Sequence, residues 1–424
     1  MKGEYMPRIA DQILQDRLDA RGAVLVEGAK WCGKTTTAQQ QARSTIYMAD
    51  PASRSQNLIL ADTEPSALLR GDTPRLIDEW QITPQLWDAV RFEVDQRDDF
   101  GQFILTGSSV PPPGGQITHT GTGRISRLRM RPMSLFESGD SAGTVSLAAL
   151  FEGQGAPAAP AGQTLEEVAF VLCRGGWPRA VGQRRPVALQ QARDYFDAVV
   201  ESDISRVDDV ARDPHLARRL LRSYARMESS QARLVQIAAD LGAGDSGPSE
   251  KTVRSYLTAL ERIFVIEDLP AWNPNLRSRT AIRTTETRHF VDPSIAAAAL
   301  GINPGGAMRD LETFGLLFEG MCVRDLRVYA DALDGEVFHY RDKSGLECDA
   351  VVHLRDGRYG LIEVKLGGTR LVDEGAAHLR ALAAKIDTSR MSPPNFLMVL
   401  TGTGPYSLTR PDGVIVAPIS VCGP

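Results

Sequence analysis

Two stretches of this 424-residue chain hold side chains whose types and spacing could do chemistry. The first reads Gly28-Ala-Lys-Trp-Cys-Gly33-Lys34-Thr35-Thr36, directly after the apolar run AVLVE. The pattern G-x-x-x-x-G-K-[ST] between a strand and a helix predicts a phosphate cradle. Glycines let backbone N–H groups wrap a β-phosphate, and the new helix presents its positive end to the anion. Lys34 would neutralise β/γ charge and the Thr35 hydroxyl would ligate Mg²⁺, so the expected ligand is ATP with Mg²⁺. Downstream, Arg75-Leu-Ile-Asp78-Glu79 ends an apolar run in two carboxylates. Asp78 is placed to hold the metal through water, and Glu79 to polarise an attacking water as general base. The next run closes in Thr106-Gly-Ser108-Ser109, where the Ser108 hydroxyl could sense a γ-phosphate. Arg124, in the small-residue stretch TGTGRIS, could reach that phosphate in the same or a neighbouring subunit; the competing reading is a surface arginine.

The second stretch is GLECDAVVHLRDGRYGLIEVKLGG. A two-residue Asp356-Gly357 turn would pair Asp349 with Val364 and put Asp349 on the opposite face from Glu363 and Lys365. A three-residue loop, Arg355-Asp356-Gly357, with Gly357 left-handed, pairs Leu354 with Arg358 and sets Asp349 opposite Glu363. Glu347, Asp349, Glu363 and Lys365 then share one face, while Cys348, Ala350, Val352, Ile362, Val364 and Leu366 share an apolar one. This register satisfies burial and chemistry together and is the one expected. An Asp on one strand with Glu-x-Lys on the next resembles the core of the PD-(D/E)xK nuclease fold. The resemblance implies that Asp349 and Glu363 bind Mg²⁺ or Mn²⁺, and that Lys365 orients or deprotonates the metal-bound water. It also implies a glutamate from the preceding helix in the metal shell, with Glu319 the candidate and Glu312 its competitor. A solvated, catalytically dead sheet face is the alternative. His353 falls on the same face without a role.

The elements that must position these groups fall into three regimes. From about 20 to 136, apolar runs alternate with helical stretches, as in a parallel sheet with crossover helices. From about 164 to 265 the pattern is helical. Leu234, Ile237, Ala238 and Leu241, then Val253, Tyr256, Leu257 and Leu260 after the turn GAGDSGPS, mark two short amphipathic helices, the second capped by Ser249. They resemble a helix-turn-helix, with Lys251, Arg254, Ser255, Thr258 and Arg262 facing outward; a helical packing module is the equal alternative. From about 310 to 420 a helix, strands, a helix and strands form a separate α/β unit.

Net charge is −5, yet arginines cluster at 124–131, at 212–226 and at 277–288. Such patches can bind phosphate on an acidic protein, and solvated faces with internal salt bridges are the bland reading. The five cysteines show no metal or disulfide spacing. The charged start lacks a signal peptide's apolar run, and no stretch approaches the ~20 apolar residues of a membrane helix, so a cytoplasmic protein with no membrane partner is expected.

The segments GAKWCGKTT, LIDEWQ, FILTGSS, GRISRLRMRPMSLFE, RGGWPRA, TVRSYLTALERIFVIEDL, FVDPS and LECDAVV…LIEVK occur in the order found in a prokaryotic family. Over nearly its whole length the chain resembles these P-loop AAA+-like ATPases with a C-terminal domain of unknown function. The expected architecture is α/β: an AAA+-like ATPase domain over 1–140, a helical region over 141–230, a winged helix-turn-helix-like region over 231–295, and a nuclease-like domain over 296–424. The loop filling Lys30-Trp31-Cys32 and the insertion PPPGGQITHTGTG depart from the family pattern. The functions left open are an ATP-driven enzyme acting on nucleic acid (DNA first), a nucleotide-switched regulatory or defence protein, and a remodeller of protein partners. A homo-oligomer is compatible with each.

Overall fold

The structure, a computed structural model, describes residues 4–110, 120–208, 210–242, 247–274 and 285–424. It divides into two compact units. The first comprises residues 1–132, 202–212 and 258–265, and the second the remainder.

The first unit is built on a parallel sheet of β1 (Ala23–Glu27), β2 (Ser44–Tyr47), β3 (Arg75–Asp78), β4 (Phe103–Gly107) and β5 (Ile125–Arg129), in the order β2-β3-β4-β1-β5. All four pairings are parallel. A parallel sheet is covered on both faces, which is why β4 reads as a continuous apolar run and is buried along its length. One face packs Leu25, Ile77 and Phe103 with Trp80, Trp87 and Val90. The other packs Val24, Leu76 and Ile104 with Leu14 and Leu18 of helix α1 (Ile9–Ala20) and Ala38 of helix α2 (Lys34–Gln41). Because every pairing is parallel, the carboxyl end of each strand opens on the same edge, with β4 between β1 and β3.

The two predicted amphipathic helices are present as α3 (Leu234–Leu241), in the second unit, and α4 (Glu250–Arg262), whose residues from 258 on belong to the first. Ser249 caps α4, its Oγ accepting the Thr252 N–H at 3.1 Å. Residues 243–246 of the connecting turn lie outside the described residues, as do Arg277, Arg279, Arg283 and most of the insertion after Val110. Antiparallel bridges join Ile266 to Phe290 and Leu269 to Thr287. Lys251, Arg254 and Ser255 are exposed as expected. Arg262 is not an outward group: its guanidinium faces Asp208 at 3.8 Å and its carbonyl accepts the Val110 N–H at 3.0 Å.

The C-terminal α/β part is a six-stranded sheet in the order β11-β12-β10-β9-β8-β7. Beyond β6 (Val145–Ser146) of a small separate sheet, its strands are β7 (Gly335–Arg341), β8 (Glu347–Leu354), β9 (Tyr359–Lys365), β10 (Phe396–Thr401), β11 (Leu408–Thr409) and β12 (Ile415–Pro418); β13 (Cys422–Gly423) pairs with β6. β7, β8 and β9 form an antiparallel meander, and β9 runs parallel to β10 after the crossover helix α6 (Thr369–Lys385). Helix α6 covers Val351, Tyr359, Leu361 and Val399. The opposite face, with Met398 and Leu400, meets Leu326 and Tyr329 of helix α5 (Leu311–Asp331). The expected contrast of a charged and an apolar face therefore holds only locally, since both faces are buried away from the strand ends.

The motifs RGGWPRA and FVDPS meet in this unit. Asp292 accepts the Gly176 N–H at 2.9 Å and an Arg324 N–H at 2.9 Å, and Trp177 Nε1 donates to Ser294 at 3.0 Å. Arg324 also donates to Asp325 at 2.6 Å, and Asp325 accepts the Leu135 N–H at 3.0 Å. A Cβ at Gly176 would lie 2.0 Å from the Met133 carbonyl oxygen, so only glycine allows this backbone approach. Arg324, Asp292 and Asp325 are fully buried, and a buried arginine held by two carboxylates fixes register more than it adds stability.

Candidate active site

The loop after β1 closes over itself. Gly33 is left-handed at φ 107° and stands at the N-cap of α2, where a side chain would strain the backbone. A Cβ on Gly28 would lie 2.0 Å from the Met130 carbonyl oxygen. Lys34 is buried, with Nζ donating to the carbonyls of Gly28 at 2.9 Å and Ala29 at 2.8 Å. The loop is braced from outside by Arg8, a buried guanidinium that donates to the Cys32 carbonyl at 2.7 Å and the Arg131 carbonyl at 2.8 Å. Thr36, next along the helix, is exposed.

The hydroxyl of Thr35 donates to Asp78 Oδ1 at 2.7 Å, and Thr106 Oγ1 donates to the same oxygen at 2.7 Å. Register explains the meeting: Asp78 pairs with Thr106 across β3 and β4, and Thr106 with Val26 across β4 and β1. Glu79 follows in a left-handed conformation (φ 57°), which turns its side chain away from Asp78's course. Its carboxylate accepts Ser108 Oγ at 3.1 Å and also the Gln81 side-chain amide. Thr35, Asp78, Glu79 and Ser108 are thus brought together. Thr106 and Gln81 join them without having been singled out; a hydroxyl closing FILTG and the glutamine of LIDEWQ were the available signals.

Arg124 is not part of this group. It precedes β5, and the parallel register sets Ile125 beside Ala23 and Arg129 beside Glu27. At ~3.3 Å per residue Arg124 stands roughly 20 Å from the loop's first glycine, at the opposite end of the sheet. Its guanidinium pairs with Asp95 at 2.7 Å. The expectation of a same-subunit phosphate contact is corrected: in a parallel sheet, the residue before a strand faces away from the edge where the loop opens. Among the described residues other clustered arginines are also paired, Arg212 with Asp208, Arg218 with Asp197 and Glu201, and Arg226 with Asp240.

At the second site the three-residue hairpin is the one formed. Gly357 is left-handed (φ 93°), its N–H donates to the Leu354 carbonyl at 3.0 Å, and the Leu354 N–H donates to Arg358 at 2.8 Å. Ala350 pairs with Ile362 and His353 with Tyr359, the register that sets Asp349 opposite Glu363. Cys348 departs from its expected face, lying in the cluster with Val351 and Leu361, because the β7–β8 pairing slips by one between Phe338 and Tyr340.

Lys365 Nζ donates to Glu363 Oε2 at 2.6 Å and to Asp349 Oδ2 at 3.3 Å, and Asp349 Oδ2 also accepts the Val364 N–H at 2.7 Å. Burial, then repulsion from Asp349, pushes the Glu363 carboxyl up to about 8 against the lowering pull of Lys365. Glu319 on α5 is half-buried and has no hydrogen-bond or ion-pair partner among the described residues. Its carboxyl is held well above the usual range, first by burial and then by the charge of Asp349. Glu312, the competitor, lies exposed in the first turn of the same helix. His353 packs edge-on against Tyr359 and Trp272, at the turn end of the hairpin.

The donor chemistry at both places fits a divalent cation. At the first, a hydroxyl and a carboxylate already share a hydrogen bond beside the loop. At the second, the donors are carboxylates, hard oxygen ligands suited to Mg²⁺ or Mn²⁺. No group of three or more His, Cys, Asp or Glu among the described residues is gathered to hold a metal, and Lys365 is the positive charge shared by the two strand carboxylates.

Comparison with known proteins bears on the first site. Residues 20–138 match the family described as AAA domain, residues 165–305 a domain of unknown function (DUF8612), and residues 314–422 another (DUF4143). The uncharacterized proteins Rv2008c of Mycobacterium tuberculosis and Mb2031c of Mycobacterium bovis are each 24% identical over 363 residues, covering 84% of this chain and 73% of theirs. The solved Walker-type ATPase PABY2304 of Pyrococcus abyssi is 14% identical, with TM-score 0.41, covering 70% of this chain and 96% of its own. The match over residues 20–138 makes the N-terminal region that of a P-loop ATPase, a class that uses a nucleotide and typically Mg²⁺. Among the described residues no helix is long and apolar enough to cross a membrane.

Proposed function

We propose that this chain is an ATPase acting on nucleic acid, DNA first, whose C-terminal domain carries a metal-dependent phosphodiesterase site. In the ATPase reading Gly28, Gly33, Lys34, Thr35 and Thr36 hold the phosphates, Lys34 leaving its two carbonyl partners for the β/γ oxygens. Thr35 and Asp78 would hold Mg²⁺, which supplies charge neutralisation at the phosphates when bound. Glu79 takes the proton of the attacking water as its oxygen bonds to the γ-phosphorus and the bond to ADP breaks, and Ser108 keeps Glu79 aimed.

The observation that carries the nuclease reading is the contact of Lys365 with both Asp349 and Glu363 at the open ends of β8 and β9, with Glu319 near enough for the Asp349 charge to help burial hold its carboxyl up. Asp349, Glu363 and Glu319 would hold Mg²⁺ or Mn²⁺, which supplies Lewis-acid activation when bound. Lys365 then orients water and stabilises charge on the phosphoryl oxygens. The exposed Lys251, Arg254 and Ser255 of α4 are the face offered to a duplex. The runner-up, a nucleotide-switched assembly with a non-catalytic C-terminal platform, is favoured by the absence of a gathered three-carboxylate group among the described residues.

The test is incubation with end-labelled single- and double-stranded DNA, with Mg²⁺ or Mn²⁺, with and without ATP. Cleavage by the wild type, and none by Asp349→Ala or Lys365→Ala, supports the nuclease. Intact DNA in every lane, with ATP still hydrolysed, selects the platform reading.

A further inference from the structure

Helix α6 starts at Thr369, soon after Lys365 leaves β9, and its first turn is uncapped. We propose that this helix end, floored by the hydroxyl of Thr401, binds a phosphate of the nucleic-acid backbone beside the carboxylate pair. The inference rests on the nucleic-acid reading of the C-terminal domain. It adds a phosphate subsite that the Asp349, Glu363 and Lys365 pattern does not contain.

The first observation is the state of the helix end. Gly368 stands at the N-cap with no side chain to accept a backbone N–H, and the first turn holds no acidic residue. A Cβ on Gly368 would meet nothing within 4 Å, and Thr369 and Arg370 are exposed, so the end opens to solvent. First-turn N–H groups and the positive end of the helix dipole then favour an anion.

The second observation is independent of the helix. Thr401, the last residue of β10, is 1% exposed, and its Oγ1 is buried with no hydrogen-bond partner among the described residues. Native folds leave few buried hydroxyls unpaired, because each lacks the hydrogen bond it made to water. Register gives its direction. Parallel pairing sets Glu363 beside Val399 and Lys365 beside Thr401, so the four share one face of the sheet. Helix α6 covers that face: a Cβ on Gly375 would lie 3.4 Å from both Glu363 Cβ and a Val399 methyl carbon. The helix runs back along the sheet, and two strand residues match roughly four helix residues. Thr401 therefore lies under the first turn of α6. Gly367 and Thr403 continue the face, with Thr403 Oγ1 3.0 Å from the place of a Gly367 Cβ.

An anion seated at the helix end gives the Thr401 hydroxyl the acceptor it lacks. Asp349 and Glu363 share Lys365, which offsets the negative charge they present to that anion. Backbone N–H groups and a hydroxyl read a phosphate oxygen and not a base, so the subsite positions a strand without sequence preference. No bond is made or broken there.

The experiment measures binding of labelled single- and double-stranded DNA by the full chain in EDTA, by anisotropy, with urea unfolding of each variant. Thr401→Val keeps the side-chain shape and removes the hydroxyl. It should weaken binding by about fivefold or more, with an unfolding midpoint at or above that of the wild type. Thr401→Ser should retain wild-type affinity. Thr369→Glu puts a carboxylate where the anion would sit, which should cost about tenfold in affinity while leaving the midpoint unchanged or raised. Thr409→Glu, the same charge at an exposed position on β11, should bind within about twofold of the wild type. Binding within about twofold of the wild type in either Thr401→Val or Thr369→Glu overturns the subsite. Loss of binding in both, in a protein that cuts no DNA with Mn²⁺, keeps the subsite and removes the nuclease reading. If the wild type binds neither DNA, the inference falls with the nucleic-acid reading; a midpoint then raised by inorganic phosphate makes the helix end a site for the free anion.

Discussion

Replacing Lys365 by alanine removes the charge that links Glu363 and Asp349, and the structure gives the cost. The Glu363 side chain is 2% exposed and that of Lys365 is 22%, so solvent replaces the lost contact poorly. At pH 7 a carboxyl with its pKa at about 8 is mostly protonated, so the substitution removes hydrogen bonds more than it strands a charge. Hydrogen bonds involving a charged group contribute about 1.5–3 kcal/mol, which sets an expected loss of about 2 kcal/mol. The sign of the pH dependence follows from the raised folded pKa. The stability held by protonated Glu363 is full below its unfolded value and is lost as pH rises through about 8. Without Lys365, which lowers that pKa, the decline extends to higher pH, with a slope still limited to one proton. In the proposed metal site a divalent cation would take the place of the ammonium, and Mn²⁺ at about 100 times its Kd would then add about 2.7 kcal/mol. The assay is urea unfolding at pH 7 and 9, with and without Mn²⁺, followed by hydrogen exchange of the β8 and β9 amides. Equal stability of Lys365→Ala and wild type at both pH values, with no response to Mn²⁺, would refute the reasoning.

Three further outcomes are expected. Glu79→Gln keeps the acceptor for Ser108 but cannot take a proton, so kcat should fall by about 10²–10⁴-fold with nucleotide binding retained, read by phosphate release and analogue titration. His339 is buried, with its pKa pushed down to about 4, so its contribution is lost as pH falls from about 6.5 to about 4. That amounts to about 3 kcal/mol, and a His339→Gln chain should show a correspondingly flatter stability profile in acid-range urea titrations. Gly176→Ala drives a methyl against the Met133 backbone, and a loss of about 3 kcal/mol should appear as a lowered unfolding midpoint.

Much of the ATPase site was legible because it is local. A glycine-bounded loop between an apolar strand and a helix specifies its own geometry, and Asp78 ends a strand that a parallel sheet must place nearby. The hairpin at Gly357 was legible for a similar reason: a period of two makes a one-residue slip invert every face, so burial and turn chemistry select one register. What could not be read depended on distant pairing. Arg124 was assigned by its small-residue surroundings, whereas strand direction decides which end of the sheet it occupies. The ion pair of Lys30 with Asp203 spans most of the first half of the chain and leaves no periodic trace. RGGWPRA carried the family resemblance without a stated role; its glycines admit Asp292 and the Met133 backbone at close range. Cys348 changed face through a slip in the neighbouring strand pair, which its own strand does not encode.

Every role proposed for the N-terminal residues depends on ATP hydrolysis at the loop Gly28–Thr35. The most direct measurement is steady-state phosphate release from ATP and Mg²⁺ by the purified full chain beside Lys34→Ala, both shown to be folded by their unfolding transitions. Release by the wild type and loss of at least about 10²-fold in Lys34→Ala is the result expected when the lysine stabilises γ-phosphate charge. Equal rates in the two proteins, or none in either, would contradict it.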